Sequence, residues 1–255
     1  MATVSEVATV SEVLSNLPKR LQGRKYDRQF FFAITFLLMA VVVIGFAPTC
    51  YLAGVFRAPP LPSAMVHVHG AVFSSWMLLV QTGLISAKRV GWYRNLGVAG
   101  FLLACVMVVV VAMRTAADLA ARLKAVPNSE PTLSFLDVPF VDAFDFAVLA
   151  GFAYALRRNA TAHKRLIIIA TAGISGAAFF RWHVAILFHD GYAAYAASYV
   201  FLLLLATYDL WSTHKIHRAT IWGSAFLVFM EQISRFIGPS APWHAFAHWV
   251  QSLGI

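Results

Sequence analysis

Charge is scarce in this chain. Of its 255 residues, Asp, Glu, Lys and Arg make up 12%, against 60% hydrophobic residues and a mean hydropathy of +0.71. Soluble domains carry about 25% charged residues, so the shortage excludes an ordinary water-soluble fold and fits a polytopic membrane protein. Cysteine is almost absent. Two cysteines supply no disulfide framework. Cys50 falls at the outer end of the first apolar segment and Cys105 midway along the third, so no bridge between them is expected. Also missing are a G-x-S-x-G elbow, a Walker loop, C-x-x-C and H-E-x-x-H, which removes the familiar signatures of nucleophilic, nucleotide and zinc-protease chemistry. No lysine lies inside the last long apolar segment, which argues against a retinal Schiff base. No apolar stretch precedes Arg28, and the first long one exceeds a signal-peptide core, so it is expected to act as an uncleaved anchor.

Long apolar segments, in contrast, are abundant. They run through Gln29–Leu52, Ala64–Ile85, Leu96–Met113, Val138–Leu156, Leu166–Leu187, Ala193–Trp211 and Ala219–Ile237. At about 20 residues per crossing, seven spans and short loops consume nearly the whole chain. The predicted fold class is all-α: a polytopic membrane bundle of seven transmembrane helices. Residues 1–28 form a cytoplasmic tail, 29–237 the transmembrane domain and 238–255 an outer-surface amphipathic helix. In that last piece Trp243, Phe246, Val250 and Leu253 make an apolar stripe. The amphipathic stretch Ala116–Ala125 extends the third span outward. An exact hexapeptide repeat, Ala2–Val7 and Ala8–Val13, sits in the tail and reads as a frayed terminus.

The net charge of +9 does not mark a nucleic-acid binder, because of where it lies. Lys19, Arg20, Arg24, Lys25 and Arg28 precede the first span; Lys88, Arg89 and Arg94 follow the second; Arg157, Arg158, Lys164 and Arg165 follow the fourth; Lys215 and Arg218 follow the sixth. Alternate loops are basic, which is the positive-inside pattern of a multi-pass plasma-membrane protein with a cytoplasmic N-terminus and an outer C-terminus. The bilayer is thus the expected partner, with an ion or small molecule as ligand and no nucleic acid.

Within the spans, ionisable residues gather at the outer side. They are His67 and His69, Asp142 and Asp145, Arg181 and His183, and Glu231 and Arg235. Each such group costs about 2.5–3.5 kcal/mol at the centre of a span, so four helices contributing at one depth suggest a built site. Helical phase places His67, Ser74 and Gln81 on one face and His69 on another with Trp76, which makes His67 the expected inward ligand. Asp142 and Asp145 share a face, as do Glu231 and Arg235. Tyr192, Tyr195 and Tyr199 form a stripe whose phenols reach the same depth.

Three acids against two arginines leave one negative charge, which a protonated histidine or a bound cation would neutralise. Three readings follow. One is a metal or haem site, possible redox chemistry included, in which His67, His183, Asp142, Asp145 and Glu231 supply metal ligands or proton acceptors. Arg181, Arg235 and Tyr199 would then hold the carboxylates or an anionic part of the cofactor. Another is a proton- or ion-coupled path for a small solute. The third is a structural network of ion pairs and hydrogen bonds.

Weaker signals lie elsewhere. Tyr93, His163, Asp209, His214 and His217 form an inner set whose histidines read mainly as solvated or headgroup-bound, the alternative being a second ligand pair that gives an electron or proton path across the membrane. His244 and His248 are i,i+4, a zinc spacing without a third ligand. The run Gly173–Ala178 is a small-residue packing face.

Four stretches carry a resemblance: His67-Val-His69-Gly70-Ala-Val-Phe73-Ser-Ser-Trp76 with Gln81, Trp92-Tyr93-Arg94-Asn95-Leu96-Gly97, Ala162-His163-Lys164-Arg165-Leu166 and His217-Arg218-Ala219-Thr220. Over most of the chain after Arg28 it resembles an uncharacterised family of bacterial seven-span integral membrane proteins, which implies the topology and no activity. A looser likeness to b561-type and haem-handling membrane proteins implies histidines at helix ends as haem ligands. Tyr93-Arg94 stands where those often place His-Arg, a departure at the inner haem position.

Overall fold

The computed structural model describes residues 26–59, 63–85, 90–125, 137–182, 184 and 191–252. Among them every regular element is helical. α1 covers Asp27–Phe46 and continues as a π-helical turn, Ala47–Tyr51. α2 is Ala64–Ile85, α3 Val90–Ala125, α4 Asp137–Ala155, α5 Ala160–Ile174, α6 Gly176–Phe179, α7 Gly191–Thr213, α8 Arg218–Ile237 and α9 Ala241–Ser252.

Among the described residues, five helices are long and apolar enough to cross a membrane: α1 with its π turn, α2, α3, α4 and α7. Large side chains such as Leu78, Leu102, Phe152, Leu203 and Trp222 are exposed on the outside, as a surface solvated by lipid tolerates. This is a multi-pass helical membrane protein. The fifth and seventh apolar segments differ from the others. α5 has 15 residues and breaks at Ser175, whose N–H and hydroxyl both return to Ala172 O, before the one-turn α6. α8 carries Arg218, Glu231, Gln232 and Arg235, which lower its hydropathy.

The centre is the packing of α4 against α5, with α8 across both and α7 against α5, α6 and α8. Small residues set the spacing. A Cβ on Gly173 would lie 2.8 Å from Leu227, one on Gly176 would lie 2.4 Å from the Tyr195 ring, and one on Gly45 would lie 2.4 Å from Ala178 O. The small-residue run is therefore a packing face, against α8 and α7 and, at Ala178, against α1. The buried Trp76 joins α2 to the core, edge-on to Phe146 at 5.0 Å with Nε1 donating to Thr171 Oγ1 at 3.2 Å.

The end bearing the α4–α5 and α7–α8 connections is closed by a buried network. Arg165 donates to Asp209 from Nε (3.0 and 3.3 Å) and Nη2. Asp209 also accepts from Thr220 Oγ1 (2.6 Å) and the His217 N–H (3.0 Å). Beside it Lys164 pairs with Asp27, which also accepts from Tyr208. Asp209 is fully buried and saturated with donors, so it is structural.

At the opposite end α9 docks through Trp243, Ala247 and Val250 onto Ala116, Phe140 and Ile237. Its apolar stripe is thus covered by α3, α4 and α8, with Phe246 at the edge. The tail repeat and Leu253 lie outside the described residues.

Candidate functional site

The acids converge beneath α9. Asp142 and Asp145 stand on the first turns of α4 and Glu231 on the last turns of α8, and the direct contact of these helices brings all three within electrostatic reach of one another. A small cavity of about 20 Å³ opens between Val141, Asp142, Tyr195, Tyr199, Glu231 and Arg235. Tyr195 donates to Asp142 Oδ2 at 2.9 Å, and Gln232 Nε2 donates to the Tyr199 hydroxyl at 3.1 Å. Two of the three predicted tyrosines therefore reach the site from α7; the Tyr192 side chain is outside the described set.

Two carboxyls are left over. Asp145 (2% exposed) has both oxygens buried and without a hydrogen-bond partner among the described residues, and the buried carboxyl of Glu231 (7% exposed) has only the Tyr199 hydroxyl beside it as a donor among them. Taking a carboxylate out of water costs several kcal/mol unless something compensates. With Asp142 beside these two, three acids make the site a sink for positive charge.

The predicted ligands divide. Asp142, Asp145, Glu231, Arg235 and Tyr199 come together. His67 does not join them as an inward ligand: it is exposed, and the face it shares with Ser74 and Gln81 turns to α1. There Ser74 Oγ and Tyr51 Oη share a hydrogen bond of 2.8 Å, and Thr35 donates to Gln81 Oε1 at 2.7 Å. The polar stripe is matched by hydroxyls on the neighbouring helix, which periodicity alone does not show. His69 is the better buried of the two, stacked on Phe73 at 4.3 Å with Nδ1 lacking a partner among the described residues. Arg181 is exposed, donating to Ala177 O at 2.6 Å with its guanidinium 4.4 Å from the centre of the Phe46 ring. It therefore does not clamp the acids directly. His183 lies outside the described residues.

No three His, Cys, Asp or Glu side chains among the described residues are arranged to hold one metal ion. That includes His244, half-buried, and His248, exposed on α9. A cavity of about 20 Å³ has room for a water molecule and is far too small for a haem macrocycle. No family model matches the chain, and neither does any curated protein or solved structure.

Two participants escaped the sequence reading. Asp137, 1% exposed, accepts from Ser234 Oγ at 2.6 Å and ties the start of α4 to the end of α8. Its position one residue before the apolar run disguised it as a loop acid. Gln232, next to Glu231, carries no charge to single it out in the sequence.

Proposed function

We propose that the protein spans the membrane seven times, N-terminus cytoplasmic and C-terminus outside, and passes protons or a small cation through the Asp142–Asp145–Glu231 cluster to drive a small solute. The observation that carries this reading is the pair of buried carboxyls beside a space the size of one water: Asp145, without a hydrogen-bond partner among the described residues, and Glu231, with only the Tyr199 hydroxyl to donate to it there. Acids at membrane depth that are not paired serve relays and coupling sites. A proton or a small cation supplies the missing positive charge and leaves as readily as it arrives. Tyr195 and Tyr199 line the same cavity and extend its hydrogen-bonding surface toward α7.

The test is proton flux into proteoliposomes carrying a pH-sensitive dye, with the purified full-length chain. Asp145→Asn and Glu231→Gln keep shape and remove charge, so both should abolish flux while the protein stays monodisperse. Wild-type vesicles no leakier than empty ones, or flux unchanged in both variants, would refute the proposal.

A second reading has its own support. Tyr195–Asp142 and Ser234–Asp137 join α7 and α8 to α4, as structural glue would. Under it Ser234→Ala lowers the melting temperature, by the roughly 1 kcal/mol typical of an intramembrane hydrogen bond, and no variant changes flux.

A further inference from the structure

A second cavity, of about 600 Å³, lies between α1, α2, α3, α4 and α5 at the end away from the acids. That is the size of a small-molecule site, roughly 300–1,000 Å³. Its walls are apolar, among them Trp76, Val80, Leu96, Phe101 and Ile168. The space beside Gly97 on the α3 side is open: a Cβ there would meet nothing within 4 Å.

The rim is basic. Arg157, Arg158, His163 and Lys164 all line it. Lys164 is answered by Asp27. His163 Nδ1 meets Ala153 O at 2.8 Å, which occupies one ring nitrogen. Arg157 donates to Tyr154 O at 3.1 Å and lies 4.4 Å from the centre of that ring, with no carboxylate partner among the described residues. Arg158 is exposed and has no carboxylate partner there either. Two guanidinium groups therefore stand over an apolar slot without a counter-charge. The complementary ligand is an amphiphile with an anionic head and a hydrocarbon tail, and basic pockets between membrane helices do recruit acidic lipid headgroups.

We propose that this cavity binds one anionic phospholipid, an acyl chain between α2, α3 and α4 and the phosphate at Arg157 and Arg158. The site is independent of the acid cluster. A zwitterionic lipid brings its own cation and gains less from the rim. An anion without a chain leaves the slot unfilled.

Native mass spectrometry of the detergent-purified full chain tests this, with dioleoylphosphatidylglycerol, dioleoylphosphatidylcholine and glycerol 3-phosphate as probes. One phosphatidylglycerol should be retained in preference to phosphatidylcholine. Arg158→Gln, at an exposed position, should weaken that retention about fivefold, the effect of one basic side chain at a lipid surface. Gly97→Phe should remove it by filling the slot, and if that variant does not fold, Arg158→Gln alone decides. Equal retention of the two lipids overturns the proposal. So does retention unaffected by Arg158→Gln, or displacement of the lipid by millimolar glycerol 3-phosphate, which would mark a site for a free anion.

Discussion

Arg165 and Asp209 show how a charged side chain survives at the edge of hydrocarbon. Their side chains are 4% and 0% exposed, and each oxygen of Asp209 has a donor. Removing one partner strands the other as a buried charge, which costs about 3–5 kcal/mol. Asp209→Ala and Arg165→Ala should therefore each depress the thermal unfolding midpoint strongly, and a double variant carrying Met and Leu at the two positions should recover much of the loss. A loss in the double variant equal to the sum of the single losses would contradict this account. Asp145 and Glu231 are the opposite case, also buried but short of donors: among the described residues Asp145 has none and Glu231 has only the Tyr199 hydroxyl. Sequence placed all four residues in or beside apolar runs but did not separate the two cases. The difference lies in which helices meet, as it does for His67 and His69, whose faces were assigned from phase alone before α1 was known to supply Tyr51 and Thr35.

Among the elements, helix boundaries were the most legible feature. The second apolar segment coincides with α2, and most others agree within a few residues, because Pro59–Pro62, Gly238-Pro239 and the basic loops end the runs. The break at Ser175 was not legible, since Gly173–Ala178 reads as a packing face and the turn depends on tertiary contact. The start of α8 carries a titratable cap. His217 accepts the Ala219 N–H on Nδ1 at 3.0 Å, which requires a neutral ring. Burial first, then the positive charges of Arg165 and Lys164, hold His217 below its ordinary 6.5, against the opposing pull of Asp209. As pH falls, the unfolded chain takes up this proton before the folded one. The cap's contribution is thus complete above about 6.5 and is lost as pH drops through the lower folded value. Asn caps without titrating. Between pH 7 and pH 5 the melting temperature of His217→Asn should fall less than that of the native protein. Parallel curves would show that the cap is not coupled to the ring's charge.

For the whole molecule, charge is sorted between two ends. Acids gather at the end formed by the start of α4 and the close of α8, and basic residues crowd the end where α4 meets α5 and α7 meets α8. In the proposed orientation the acid end faces outward, and a free thiol reports on it. Cys50 is exposed in the π-helical turn closing α1, and Gly70, near the start of α2, is its close neighbour. Cys105 is also exposed, but midway along α3 among lipid-facing Leu102, Val106 and Val109. A charged maleimide reacts with an aqueous thiolate and does not enter hydrocarbon. Intact cells should therefore take up one label per chain, lost in Cys50→Ser and kept in Cys105→Ser. Labelling of Cys50 only after permeabilisation would invert the molecule, and with it the face from which the acid cluster receives its proton or cation and the leaflet that supplies lipid to the basic rim. One thiol thus fixes both directions, because the two sites lie at opposite ends of α4.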